Sequence, residues 1–531
     1  MKQFLLIFVS AVMVIHSLPA ADKRPNIVFI FTDDHSPNAI GAYHRWLKSV
    51  NPTPGIDRLA SQGMLFERSY CTNAICGPVR AVIETGKHSH INGFRQNGER
   101  FNWDQPTFAK VLRKAGYQTV LYGKYHLDGT PQGYDEWKVL PGQGDYYNPD
   151  FITPDGGMRI EGHCTDIVTD MAVEWLKEKR DPQRPFLLRV QHKAPHRAWM
   201  PALRHLAAFD GALIPEPPTL FQKHLTQTPA SRLQEMEIDR HMDIAFDLFV
   251  NLVPDYSRPA IHMLQDTTAR ENMKKMTPAQ LEAWRAHYGP KDEAFHAARL
   301  GGDALVRWKY QRYLRNYLAC IRGVDESVTT LLATLDALNL TENTVVIYSS
   351  DQGFYLGDRG WYDKRWMYET SFEMPLIIRW PGVVKPGSRN RHLVQNLDYA
   401  ATFLDIAGAA IPADYQGHSL VPLLKGMDDT PWRKALYYHY YEHPGVHMVE
   451  RHRGVSDGRF KLMHFYRFGE WEFYDLDADP TEQTNQYANP WYAAEIARMK
   501  SKLDELAVKY RDDTDISELS DEQKKIIRPG G

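Results

Sequence analysis

The 531-residue sequence predicts an α/β protein: a mostly parallel central sheet flanked by helices, followed by a smaller antiparallel sheet and a helix. Three observations predict it. Short, continuous apolar runs recur through the N-terminal part and each stops at a polar cluster, the pattern of strands covered on both faces. Helix-like stretches separate the runs, so strand and helix alternate. After about residue 426 the alternation gives way to aromatic-rich strand segments joined by turns.

The chain opens with MKQFLLIFVSAVMVIHSLPA, whose Lys2, apolar run from Phe4 to Ile15 and small residues ending at Ala20 read as a signal peptide over residues 1–20. The run is shorter than the ~20 residues that span a bilayer, and no later segment qualifies. A secreted or periplasmic protein without a membrane span is expected. The main α/β domain is expected over 22–425, and its first strand is PNIVFIFTDD, ending at Asp33 and Asp34. YQTVLYGKYH ends at Lys124 and His126, PFLLRVQHKAPH at His192 and His196, and TVVIYSSDQG at Asp351 and Gln352. Between them TPGIDRLASQG, PTFAKVLRKAG, DIVTDMAVEWLKEK and IRGVDESVTTLLATLDAL read as helices.

Residues 200–315 depart from this order: PEPPTLF reads as loop and PAQLEAWRAHYGPKDEAFHAARL as helix, an insertion beside the His196 strand end. MPLIIRWPG then reads as a strand and LDYAATFLDIAG as a helix. Residues 426–531 form the C-terminal subdomain. ALYYHYY, GRFKLMHFY and EWEFYDLDADP are its strands, with turns at HPGVH, SDGR and RFGE, and YAAEIARMKSKLDELAVKYRD closes it as a helix.

With 63 basic and 66 acidic residues the net charge is -3, which excludes a general attraction to nucleic acid or to an anionic membrane. Cys71, Cys76, Cys164 and Cys320 are too few and too scattered for a disulfide framework or a zinc site, although export leaves a disulfide among Cys71, Cys164 and Cys320 open.

Ligands of open α/β sheets bind beyond the carboxyl ends of the strands. Any one of the four polar clusters could be a helix cap or a surface turn. Their recurrence at four strand ends points instead to a shared site. Asp33, Asp34, Asp351 and the amide oxygen of Gln352 are hard donors suited to Ca²⁺ or Mg²⁺. Arg80, Lys124, His126, His196 and Lys364 are cationic or proton-donating. Together they describe a pocket for a tetrahedral oxyanion, sulfate or phosphate.

These residues and their surroundings resemble the formylglycine-dependent sulfatases, which share the alkaline phosphatase superfamily fold. Cys76-Gly77-Pro78-Val79-Arg80 followed by Thr85-Gly86 resembles the family signature, and PNIVFIFTDD, NPTPGIDRLA, GKYHLDG, KAPHRAW, SSDQGFYLGDRGWYDKRWMYE and EFYDLDADPTEQTN occur in family order. The resemblance implies that Cys76 is oxidised to formylglycine (3-oxoalanine) by a formylglycine-generating enzyme. It implies that Asp33, Asp34, Asp351, Gln352 and the modified Cys76 hold one Ca²⁺. Arg80 and Lys124 would stabilise the formylglycine hydrate, and His126 would act as base for sulfate expulsion. Lys364, His196 and Lys124 would bind the sulfate, with His196 as acid for the leaving alcohol; His192 is the weaker alternative. Val79 stands where the family has Ser or Ala, Gln352 where it has Asn or His, and Asp128 where it has Gly.

The chain looks most like bacterial glycan sulfatases, including N-acetylglucosamine-6-sulfatase-like members, which implies a sulfated polysaccharide or oligosaccharide as substrate. In the C-terminal part HYYEHPGVHMVERHRG offers His439, His447, Arg451 and His452 as a substrate subsite on a polar loop. The alternatives are a formylglycine-dependent phosphonate or phosphate ester hydrolase on the same scaffold and an inactive glycan-binding homologue.

Overall fold

The structure, a computed structural model, describes residues 24–50, 53–250, 272–427 and 429–527. The expected signal peptide lies outside the described residues. Among those described, no helix is long and apolar enough to cross a membrane.

A ten-stranded sheet runs through the main domain. Its order is Ser388–Asn390, Met64–Phe66, Leu376–Arg379, Thr344–Ser350, Asn26–Thr32, Phe186–Gln191, Gln118–Lys124, Glu136–Leu140, Asp150–Thr153 and Gly156–Arg159. The four strands expected to carry the polar clusters are the consecutive Thr344, Asn26, Phe186 and Gln118 strands, all parallel. Their register is nearly level. Thr32 pairs with Ser350, Phe31 with Gln191, and Gly123 with Gln191, so Asp33, Lys124, His192 and Asp351 leave the sheet along one edge.

The Asn26 strand is buried over its whole length and its side chains divide by parity. Val28 and Ile30 face one core, shared with the 36-residue helix Gly302–Ala337, while Ile27, Phe29 and Phe31 face a second core on the opposite side of the sheet. Each such side chain contributes about 1.5–3 kcal/mol by leaving water, which fixes this strand at the centre of the sheet. The sheet's margins escape sequence reading because they are short and partly exposed, as in the wholly exposed Gly156–Arg159 strand.

MPLIIRWPG forms the strand Leu376–Arg379, which runs antiparallel to the Thr344 strand. The insertion contains the helix Pro278–Ala298, capped by Thr277 and Gln280 in a reciprocal capping box. IRGVDESVTTLLATLDAL is the C-terminal half of the Gly302–Ala337 helix, which begins earlier than expected.

The C-terminal sheet has four antiparallel strands, Leu436–Tyr440, His452–Ser456, Phe460–Phe465 and Glu470–Asp475. Ile496, Met499, Leu503 and Leu506 of the helix Ala493–Tyr510 cover one face, and Tyr438, Tyr440, Met463, Phe465 and Tyr474 bury the other against the main domain. The second strand corrects the sequence reading, which took its residues as part of a polar loop. All four cysteines are free and buried.

Candidate active site

Cys76 is the first residue of the helix Cys76–Thr85. Pro78 is tolerated in its first turn, where backbone N–H groups have no helical acceptor, and Gly86 ends it at φ 61°, a left-handed cap. Gly77 donates its N–H to Asn97 Oδ1 at 3.1 Å, and a Cβ on Gly77 would lie 2.7 Å from the Phe94 ring and 2.8 Å from that oxygen. Arg80 follows one turn later on the same face. Its guanidinium donates to the Lys124 carbonyl (2.7 Å), Gln191 Oε1 (2.9 Å) and Asp351 Oδ2 (3.3 Å). Gly123 permits that convergence: at φ 100° its Cβ would lie 1.9 Å from the Gln191 carbonyl oxygen.

Ligand atoms of Asp33, Asp34, Cys76 and Asp351 all lie within 4.8 Å of one another. Asp351 Oδ1 accepts from the Asp34 N–H at 3.0 Å, and Gln352 Nε2 donates to Asp34 Oδ1 (2.5 Å) and Asp351 Oδ1 (2.7 Å). Asp33 Oδ1 and Gln352 Oε1 are buried without a hydrogen-bond partner. Burial of the acidic cluster raises the Asp34 carboxyl to about 7, against the lowering effect of Lys364. Crowded carboxylates with unpaired buried oxygens fit a hard divalent cation such as Ca²⁺, and a set of oxygens rather than several imidazoles or thiolates does not select zinc.

Cations face these carboxylates. Lys364 Nζ lies 2.7 Å from both Asp34 oxygens, Lys124 pairs with Asp33, and Arg80 lies 3.6 Å from Asp33. His196 Nε2 is 3.8 Å from Asp34 Oδ2, and its Nδ1 contacts the Arg197 carbonyl at 2.5 Å. Burial, reinforced by Lys124, holds His126 and His196 well below the ordinary imidazole range, so both are neutral. Burial also pushes the Cys76 thiol up to about 12. An unmodified Cys76 is therefore a poor nucleophile at neutral pH.

Strain gathers here. Asp34, His126, Asp363, Arg365 and His447 all have positive φ, from 51° to 91°. Non-glycine residues hold such angles only where their surroundings impose them.

The structure brings together Asp33, Asp34, Cys76, Arg80, Lys124, His126, His196, Asp351, Gln352 and Lys364. His192 turns away, its Nε2 3.0 Å from Ser327 Oγ in the core. The C-terminal residues divide. His447 joins the site's rim, with Nε2 3.3 Å from Asp363 Oδ2 and 3.1 Å from Arg197 Nη1, and Arg365 continues that rim to Glu442 at 3.4 Å. Arg451 donates to the His443 carbonyl at 2.8 Å.

His439 and His452 correct the loop-subsite expectation. His439 is a strand residue bonded to Asp512 at 2.6 Å, and His452 is fully buried, with Nδ1 2.8 Å from the Glu450 carbonyl and Nε2 accepting from the Met367 N–H at 3.3 Å. Neither presents a free nitrogen to solvent. The motifs do not single out Lys193 or Gln143, yet Gln143 Oε1 accepts from Lys124 Nζ at 2.5 Å. The position of Lys193 between His192 and His196 was the signal available in the sequence.

Comparison with known proteins places this geometry among relatives. The family model described as Sulfatase matches residues 25–409, and that of the N-sulphoglucosamine sulphohydrolase C-terminal region matches 357–509. The chain is 44% identical over 516 residues to an N-acetylglucosamine-6-O-sulfatase of Bacteroides thetaiotaomicron, covering 96% of this chain and 90% of the relative. It is 26% identical to the human N-acetylglucosamine-6-sulfatase over 82% of this chain and 71% of that one. A solved complex of a protein with its substrate D-glucosamine-2-N,6-O-disulfate superposes with a TM-score of 0.87 at 44% identity, over 93% of this chain and 99% of the other.

Proposed function

This chain belongs to the sulfatase family, and from that premise we propose that it is an exported enzyme that removes the 6-O-sulfate from glucosamine residues of a sulfated glycan, using a formylglycine formed from Cys76. The 44% identity to an N-acetylglucosamine-6-O-sulfatase across nearly the whole chain carries the choice of substrate. Arg80, Lys124 and Lys364, paired with the buried carboxylates that lie beside Cys76, support sulfuric ester hydrolysis. Maturation needs a formylglycine-generating enzyme as partner.

Asp33, Asp34, Asp351 and Gln352 would hold one Ca²⁺, which supplies positive charge that polarises the sulfate. The hydrated aldehyde at residue 76 carries two hydroxyls. One hydroxyl would give its proton to a carboxylate of the Asp33, Asp34 and Asp351 cluster as its oxygen bonds to sulfur, the bond from sulfur to the sugar oxygen would break, and the departing alcohol would take a proton from His196. His196 first has to acquire that proton at Nε2, because its Nδ1–H is committed to the Arg197 carbonyl, and the negative charge of the ester favours this uptake. The second hydroxyl then gives its proton to His126, the carbonyl reforms, and sulfate leaves. Water restores the hydrate. Arg80 and Lys124 hold the charge on residue 76, and Lys364 and His196 hold sulfate oxygens. The rim of Asp363, Arg365, His447 and Glu442 offers alternating donors and acceptors to sugar hydroxyls.

Release of sulfate from saccharides carrying one sulfate at a defined position tests this reading. Turnover is expected on glucosamine 6-sulfates, and faster release from 2-, 3- or 4-sulfated sugars would overturn the substrate assignment. Faster cleavage of an aryl phosphate than of the aryl sulfate would overturn the reaction class.

A further inference from the structure

Lys193 lies in the turn between His192 and His196 and is 4% exposed. Its ammonium donates to the Gln143 carbonyl at 3.2 Å and stands 4.9 Å from the centre of the Tyr146 ring. The other three cations of the pocket each face a carboxylate: Arg80 faces Asp351 and Asp33, Lys124 faces Asp33, and Lys364 faces Asp34. Lys193 differs. Among the described residues no carboxylate lies within ion-pair distance of it, and the two that act on it from further away are engaged elsewhere, Asp145 with Lys275 and Asp34 with Lys364.

Gln143 joins Lys193 to the reacting centre. Its side-chain oxygen accepts from Lys124 Nζ at 2.5 Å while its carbonyl accepts from Lys193 Nζ, so one residue holds two ammonium groups on one wall of the pocket. Tyr146, under Lys193, donates its hydroxyl to the His196 carbonyl at 2.7 Å. Two amino groups held together out of water, one of them without a carboxylate, are unfavourable as a pair of cations, and an anion between them offsets that cost. Burial lowers the proton affinity of Lys193, Lys124, His126 and His196, and a charge on Lys193 adds to that lowering at the other three.

We infer that Lys193 is a further anion-binding residue of this pocket, whose charge is neutralised by the sulfate group of the substrate and of the product rather than by a carboxylate of the protein. The inference rests on the sulfatase reading of the site. A cation beyond Arg80, Lys124 and Lys364 leaves the pocket positive after its carboxylates have been occupied, which favours an entering sulfate ester.

Isothermal titration of inorganic sulfate into the modified, Ca²⁺-loaded enzyme tests it for wild type, Lys193→Met and Lys193→Arg. Lys193→Met is expected to weaken sulfate binding by ~10-fold or more, the loss of one charge-assisted contact, and to lower kcat/KM by a similar factor, with Arg restoring most of both. Thermal stability and Ca²⁺ binding should not fall. Wild-type sulfate affinity in Lys193→Met would overturn the inference, as would equal losses in the Met and Arg variants accompanied by a fall in stability, which mark a packing role. Sulfate binding is read without turnover, so an enzyme that fails to hydrolyse sulfate esters would count against the proposed reaction and leave this comparison decisive on its own.

Discussion

Lys364 Nζ lies 2.7 Å from each carboxylate oxygen of Asp34, which ties the side chain proposed to hold a sulfate oxygen to the acidic cluster. Asp34 favours the protonated form of Lys364, raising its pKa despite burial. Lys364→Ala is expected to lower kcat/KM by about 10²–10³, the usual loss when one preorganised donor to a developing charge is removed. Steady-state kinetics on a 6-sulfated glucosamine checks it; a change of less than a few-fold contradicts the assigned role.

Metal binding should be visible in stability. Asp33, Asp34 and Asp351 repel one another when buried together, and a divalent ion relieves that repulsion. Chelation is expected to lower the unfolding temperature and Ca²⁺ to restore it, with about 2.7 kcal/mol of stabilisation when free Ca²⁺ is 100 times its Kd. Asp351→Asn should lose most of this response. Calorimetric scans with and without Ca²⁺ give the answer, and identical transitions in wild type would exclude a resident ion.

The rim predicts a different kinetic signature. In the proposed function His447, which lies outside the acidic cluster and contacts Asp363, Arg197 and the Glu235 carbonyl, would serve sugar binding rather than sulfur chemistry. His447→Ala should raise KM by about 10-fold, the scale of one lost hydrogen bond to a charged partner, with a smaller effect on kcat. A simple aryl sulfate, which lacks the sugar, should show little change.

His452 belongs to the fold. It packs between Trp366, Tyr438, Tyr440 and Phe465, and burial holds its imidazole neutral, with the pKa down to about 3 from 6.5. The unfolded chain takes up this proton below pH 6.5 and the folded chain does not. The contribution is therefore fully present above that pH and is lost as pH falls toward 3, the loss reaching on the order of 5 kcal/mol. His452→Phe removes this acid sensitivity, costs about 2 kcal/mol at pH 8 through its two lost hydrogen bonds, and leaves KM unchanged. Urea unfolding at pH 8 and pH 5 measures both effects.

The centre of this molecule is legible in its sequence for a physical reason. PNIVFIFTDD and its three counterparts are buried on both faces, so burial alone forces continuous apolar runs, and their level register carries the following polar residues to one place. The glycines at 77 and 123 also have local causes, a close approach in one case and a positive φ with no room for a Cβ in the other. What is not legible depends on distant partners. His447 and His452 come from one polar stretch and differ only in whether the chain turns them toward Asp363 or under Trp366. Lys193 is a surface-type residue by composition, and only the folded chain shows it buried between Gln143 and Tyr146.

Residue 76 carries the central claim. Its thiol is pushed up to about 12 by burial, so the account requires that sulfur be replaced by an aldehyde before the site can act. Mass spectrometry of the peptide containing Cys76, taken from active enzyme made in a host with a formylglycine-generating enzyme, measures this directly. The account predicts formylglycine at residue 76 in proportion to specific activity, with Val79 accepted in the signature; fully active enzyme with an intact Cys76 thiol would contradict it.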